Sequence, residues 1–149
     1  MARRSSWAPE RRDVVWIDCN PQAGREMRDV HPLLVLSPRE FNTRTGILIG
    51  LPMTTAAYNE TNPFAIRFEG PRGVVSYILA HQPKSFDWRA RRAKPHALRQ
   101  APERAFDQAC ATLNQIISLS KETLIYRRCL KQGPSPSEHD DEAADTVGV

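Results

Sequence analysis

The punctuation of this chain constrains its fold more than any single residue does. Residues 13–18 (DVVWID), 31–36 (HPLLVL), 47–52 (ILIGLP), 64–68 (FAIRF) and 73–80 (GVVSYILA) are short runs rich in Val, Ile, Leu and aromatic side chains, bounded by Gly, Pro, Asn or charged turn residues. Such side chains suit a pleated, half-buried surface, and runs this short read as strands. The run at 31–36 is continuously apolar after its first residue, which predicts a strand buried on both faces, whereas 64–68 alternates and places Arg67 outward. Loops are expected at 19–30, with Pro21 and Gly24 as breakers, at 37–46, with room for one short helical turn, and at 54–63, with Asn59, Asn62 and Pro63. Many short strands with no helices alternating between them predict a small, mostly antiparallel β-barrel and argue against a doubly wound parallel sheet.

The pattern changes at Gln82. Residues 85–93 (SFDWRARRA) read as a short helical turn and 94–100 as one more edge strand. Pro102 stands where a first helical turn tolerates proline, and Phe106, Ala109, Cys110, Leu113, Ile116 and Ile117 then recur at three- and four-residue spacing. That spacing predicts a C-terminal helix whose apolar stripe covers an open face of the barrel. Residues 120–130 extend this helix or form another. A chain of 149 residues has room for one core. The expected organisation is a flexible basic arm over 1–12, a folded domain over 13–130, and a disordered acidic tail over 131–149 that lacks the apolar content to fold alone.

The formal net charge of +4 conceals an asymmetry, because residues 131–149 hold one Lys against five acidic residues and the remainder therefore carries +8. Such a surplus favours a polyanionic partner through phosphate attraction, and it also serves plain solubility. Cys19, Cys110 and Cys129 have no metal-site spacing, and three thiols cannot all pair within one chain, which fits a reducing compartment. No apolar run approaches the roughly 20 residues of a membrane span. No secretion signal follows the basic start, so a cytoplasmic protein without membrane contact is expected.

The sequence lacks a phosphate-cradling Gly loop, a zinc pattern and a nucleophilic Ser elbow, and its four histidines are not spaced as metal ligands, so no cofactor and no metal are expected. What stands out is residues 24–38 (GREMRDVHPLLVLSP), a charged loop running straight into an apolar strand. A loop anchored on a rigid strand can hold polar groups in fixed positions. Together with 51–55 and 81–91, this stretch supplies proton-transfer and cationic groups at strand ends: Arg25, Glu26, Arg28, His31, Thr54, Thr55, His81, Lys84, Arg89 and Arg91. The set suits RNA cleavage. RNA carries its own nucleophile, the 2′-hydroxyl, so an enzyme need only deprotonate it, neutralise the crowded phosphate and protonate the departing 5′-oxygen. Histidine can do either proton transfer because imidazole ordinarily titrates near pH ~6.5, and arginine can grip two phosphate oxygens at once. Each residue also has a plainer explanation: His31 as a structural side chain, Thr54 and Thr55 as the end of a strand, Lys84, Arg89 and Arg91 as a solvated face, and Trp88 as a core plug.

At this point the chain resembles the MazF/PemK/Kid family of toxins from bacterial toxin–antitoxin pairs. DVVWIDCNPQAGRE, HPLLVLSPREFNTRTG, LPMTT, NPF and AHQPKSFDWRAR carry the resemblance, in the family's order, over roughly residues 12–118. It implies a small SH3-like antiparallel barrel with a C-terminal helix, as in MazF, Kid and CcdB. It also implies a homodimer with RNA crossing its interface, metal-independent endoribonuclease (mRNA interferase) activity on single-stranded RNA, and a cognate antitoxin whose acidic segment competes for the RNA groove. Carried over residue by residue, Thr54 matches the family's active-site Thr, Thr55 the Ser or Thr after it, Glu26 an acidic residue of the first loop, and Gln82, Pro83 and Lys84 a segment lining the RNA groove.

Two positions depart from the family pattern. His31-Pro32 stands where many relatives have Arg-Pro, and His81 stands where many have Asp before the Gln. Loss of a fixed positive charge at a developing phosphorane would cost on the order of a few kcal/mol, comparable to one oxyanion donor. The substitutions read as decay or as rewiring. Rewiring is the expectation taken: His31 and His81 transfer protons, Arg28 neutralises the phosphate and Thr54 positions it, while Arg25, Glu26, Thr55, Gln82, Lys84, Arg89 and Arg91 contact RNA. Two other readings stay open, a catalytically degenerate module that binds RNA or only an antitoxin, and a gyrase poison like CcdB, which shares the barrel architecture.

Overall fold

The computed structural model describes residues 7–118. Within them β1 (Asp13–Asp18), β2 (Val30–Val35), α1 (Arg39–Thr45), β3 (Ile47–Thr54), β4 (Ala65–Glu69), β5 (Val75–Leu79), β6 (Lys84–Asp87), β7 (Lys94–Gln100) and α2 (Glu103–Ile117) follow in order, with 3-10 turns at Ala57–Thr61 and Pro71–Gly73. The strands run antiparallel in the order β4-β5-β3-β2-β1-β7, and β6 attaches to β3. β3 is the hub of this sheet. Its residues Ile47 to Gly50 pair with β6, Gly50 to Pro52 with β2, and Met53 and Thr54 with β5. A strand that changes partners along its length curls the sheet into a half-barrel, as the punctuation predicts.

Gly50 sits at the changeover, opposite both Val35 and Lys84. A Cβ there would stand 2.5 Å from the Leu34 carbonyl oxygen and 2.6 Å from a Leu33 methyl, so only glycine lets the strands approach this closely.

The continuous apolar run of β2 has a direct explanation in two cores. Leu34, with Val14, Leu51, Ile78 and Phe68, faces one core that α2 closes through Ala105, Ala109 and Leu113. Leu33 and Val35, with Val15, Ile17, Leu48, Phe86 and Trp88, face the other. Burial on both faces holds for Leu33, Leu34 and Val35; the first half of β2 emerges, leaving Val30 exposed and His31 and Pro32 half-buried. That emergence carries His31 toward the site. In α2 the buried line is Ala105, Ala109 and Leu113, at four-residue spacing, while Ile116 and Ile117 stay exposed.

Two expectations need correction. Residues 7–12 belong to the folded body and not to a flexible arm: Ala8 and Pro9 are buried, the Pro9 carbonyl accepts from Asn42 Nδ2 at 2.9 Å, and the Arg12 amide donates to the Val35 carbonyl at 2.8 Å. Residues 84–87 form β6 and not a helical turn, because they pair with Ile47–Gly50 and bury Phe86. Trp88 is the core plug, buried beneath Trp7 with its indole N–H donating to the Asn42 carbonyl at 2.8 Å. Residues 1–6 of the expected arm, the helix expected at 120–130 and the acidic tail at 131–149 lie outside the described residues.

Candidate functional site

The loop of residues 19–29, between β1 and β2, is tied down at several points. At its neck the Cys19 amide donates to the Asp29 carbonyl at 2.9 Å. Asn20 and Asp29 exchange two hydrogen bonds of 3.1 Å, which hold Asp29 at a φ of 62° that its short polar side chain tolerates. Arg91 lies 4.3 Å over the Phe86 ring and donates to the carbonyls of Asp18, at 2.6 Å, and Asn20. The Gln82 side chain accepts from the Met27 amide at 2.9 Å and donates to the Arg25 carbonyl at 3.4 Å. Lys84 reaches out from β6 to place its ammonium 3.0 Å from Glu26. The hydrogen bond from Lys84 is the main reason the Glu26 carboxyl sits below its ordinary range.

These ties commit several side chains expected at RNA to partners within the protein. The guanidinium of Arg91 is committed to backbone carbonyls of the loop neck. Arg89 is committed elsewhere, 4.7 Å over the Trp88 ring and 3.0 Å from the Thr43 carbonyl near the end of α1. Neither lines a cleft with His31. Gln82, Lys84 and Glu26 hold the loop in position, which is their evident structural role.

Between this loop and the end of β3 opens a cleft of about 370 Å³, lined by Arg25, Arg28, His31, Thr54, Tyr58 and Gln82 among others. β2 delivers His31 and the last residue of β3 delivers Thr54. The Thr54 hydroxyl oxygen accepts from the Ala56 amide at 3.2 Å, so its own proton remains available to donate. Arg25 and Arg28 are exposed, and among the described residues neither guanidinium has an ion pair or a hydrogen bond. His31, Arg28 and Thr54 are thus brought together.

His81 is not placed with them. It lines a neighbouring cleft of about 620 Å³ that shares Arg25, Glu26, Tyr58, Leu79 and Gln82 with the first. There its ring lies 5.8 Å from that of Phe64, tilted by 39°. The two clefts share a wall and together line one groove region, but the expected His31–His81 pair is split between them. Thr55 lines a third depression, together with His31 and Thr54, and so does a residue the sequence reading passed over, His96 of β7. The signal that could have found it is the alternation of KPHALRQ, in which His96 shares the half-buried face with Leu98.

Among the described residues no three His, Cys, Asp or Glu side chains stand close enough together to hold a metal ion, and no helix is long and apolar enough to cross a membrane.

The curled sheet and the closing helix place the chain in a class of small half-barrel proteins with solved members. The chain superposes on a crystal structure of MazF from Deinococcus radiodurans with a TM-score of 0.68 at 33% identity, covering 76% of this chain and 99% of that one. A MazE–MazF structure from the same organism gives 0.62 at 29% identity, with 76% and 99% covered. In sequence the chain is 37% identical over 91 residues to the endoribonuclease toxin MazF of Escherichia coli strain K12, 60% of this chain and 78% of that protein. It is 28% identical over 112 residues to the Escherichia coli endoribonuclease PemK, 73% of this chain and 82% of that protein. A family model described as the PemK-like, MazF-like toxin of type II toxin–antitoxin systems matches residues 10–117, and the chain belongs to that family.

Proposed function

We propose that this chain is an endoribonuclease toxin that cuts single-stranded RNA without a metal, using the RNA's own 2′-hydroxyl as nucleophile. The observation that carries this reading is the convergence of His31, Arg28 and Thr54 on one open cleft beside a loop fixed by Gln82, Lys84 and Arg91. The His31 imidazole takes the 2′ proton as the O2′–P bond forms. Arg28 neutralises the developing charge on the non-bridging oxygens, and Thr54 donates its hydroxyl proton to one of them. As the P–O5′ bond breaks, the 5′-oxygen takes a proton from water in the open cleft, and the hydroxide left behind takes back the proton held by the His31 imidazolium, which restores the base. The products are a 2′,3′-cyclic phosphate and a 5′-hydroxyl. His81, at the other end of the groove beside Phe64, offers a ring for stacking an unpaired base, which replaces the acid role expected for it. Arg25, uncommitted at the rim shared by both clefts, contacts the RNA backbone.

The assembly that accompanies this reading is a cytoplasmic homodimer held in check by a cognate antitoxin; support for a protein partner comes from the relative of Deinococcus radiodurans, whose structures include MazE–MazF. The test is cleavage of single-stranded RNA in chelator, with new ends mapped for 5′-hydroxyls. His31→Ala should lower kcat by at least about 100-fold, the scale of a lost general base, and His81→Ala by no more than about fivefold. RNA bound but intact after long incubation would select the binding module instead. Inhibited DNA supercoiling with RNA spared would select a gyrase poison.

A further inference from the structure

The third depression adjoins the cleft and has a different character. It has a volume of about 290 Å³ and is lined by Trp16, Val30, His31, Thr54, Thr55 and His96 among others, so His31 and Thr54 belong to both hollows. Its walls are rings and aliphatic groups left open to solvent: Trp16 is 40% exposed and Val30 56%. The His96 imidazole lies 4.7 Å from the Trp16 indole, inclined by 42°. Its orientation is fixed from the other side, because its Nδ1 accepts the Leu98 amide proton at 3.0 Å. A neutral imidazole has one acceptor and one donor nitrogen, so with Nδ1 accepting, the proton resides on Nε2. Burial also pushes His96 below the ordinary imidazole range and favours this neutral form.

We propose that this depression is a nucleobase subsite: Trp16 and His96 form the wall on which one unpaired RNA base stacks, beside the phosphate at His31 and Thr54, and His96 Nε2–H donates to an acceptor on that base's edge. The inference rests on the endoribonuclease reading and deepens it. In a single strand each base hangs one sugar away from its phosphate, so a phosphate seated on the shared residues brings a flanking base to the Trp16 side. Aromatic faces hold any base by stacking, whereas one fixed donor distinguishes bases by whether an acceptor faces it. His96 is therefore a specificity residue, and Trp16 an affinity residue.

The experiment measures binding of the full chain to a 2′-O-methyl oligoribonucleotide, in which the nucleophile is blocked, and to a series lacking the base at each position in turn. With the wild-type protein, one abasic position should weaken binding about tenfold, the scale of one lost stack. Trp16→Ala should bind the complete and that abasic strand equally, while Trp16→Phe should retain the difference. His96→Phe, which keeps a ring but no donor, should bind all four bases at that position alike. If Trp16→Ala and His96→Phe keep the wild-type dependence at every position, the subsite is wrong although the protein binds RNA. If Trp16→Ala leaves that dependence unchanged but alters the oligomeric state in sedimentation, the depression is covered by a second copy of this chain and the subsite is again wrong. A wild-type protein that neither binds these strands nor cuts RNA overturns the endoribonuclease reading itself.

Discussion

Glu26 and Lys84 lie far apart in sequence yet form an ion pair beside a second tie, the hydrogen bond from the Gln82 side chain to the Arg25 carbonyl. Lys84 is largely enclosed, with 17% of its side chain exposed, while Glu26 is open to solvent at 51%. The ammonium hydrogen bond lowers the Glu26 carboxyl from its ordinary value of 4.5. A carboxyl depressed in the folded state contributes its stabilisation fully above the ordinary value and loses it as pH falls through the depressed one. The tether to β6 should thus be intact at neutral pH and released only in acid, below the ordinary carboxylate range. An NMR titration of the Glu26 side-chain carboxyl should report the depressed midpoint in the wild-type protein and a return toward 4.5 in Lys84→Met. An unchanged midpoint in the variant would mean that the Ala23 amide, the second cause, sets the shift alone. At this scale the sequence was a partial guide. It named Glu26, Gln82, Lys84 and Arg91, but basic and amide side chains near a cleft look alike whether they face phosphate or main-chain carbonyls, and only the folded loop distinguishes the two. The placement of His31, Thr54 and Arg28 at one cleft was legible because each lies where a charged loop or a strand ends. His96 was harder to find, since the alternation that puts it on one face with Leu98 marks a half-buried face and not a ligand site.

Among the elements, β3 decides the geometry of the site, because the same strand that anchors the half-barrel ends at Thr54. The changeover at Gly50 leaves no room for a methyl group, whose nearest neighbours would be the rigid Leu34 backbone and the packed Leu33 side chain. Gly50→Ala should therefore destabilise the protein by about 3 kcal/mol, at the upper end of ordinary overpacking because backbone must shift as well as side chains. A urea titration showing a lowered midpoint with an unchanged slope would bear this out, and a midpoint within error of wild type would show that β2 can move away at little cost. Elements with a strong local signal were the legible ones: β1 occupies the stretch that its Val and Ile residues indicate, and α2 starts just past Pro102. β6 was misread because its charged, aromatic sequence has no alternation beyond Phe86, and its pairing with Ile47–Gly50 is a tertiary contact that local propensity does not contain. The short helix α1 is likewise held from outside: Asn42, fully buried, donates to the carbonyls of Pro9 and Ser37 and accepts the Ser37 hydroxyl at 2.5 Å. Those bonds also draw residues 7–12 into the body, which a reading of their basic composition alone could not anticipate.

For the whole molecule, charge is the property that neither one residue nor one strand determines. The chain carries +4, yet residues 132–149 contain five acidic residues and no Lys or Arg, so their removal leaves a protein of +9. RNA attraction depends on that balance through long-range potential and counterion release, both of which weaken as salt rises. If the acidic residues offset the attraction of RNA through their charge, a chain ending at Lys131 should bind single-stranded RNA several-fold more tightly at about 50 mM salt. The advantage should vanish near 1 M, where the screening length falls to about 3 Å. Two controls separate the mechanisms. Neutralising the same five acids to Asn and Gln in the full-length chain should reproduce the gain if charge is responsible, and Arg25→Ala with Arg28→Ala should abolish it if those guanidinium groups are what holds the RNA. Equal affinity of the full-length and shortened chains at low salt would remove the tail from the account, leaving the groove's own guanidinium groups as the source of RNA attraction.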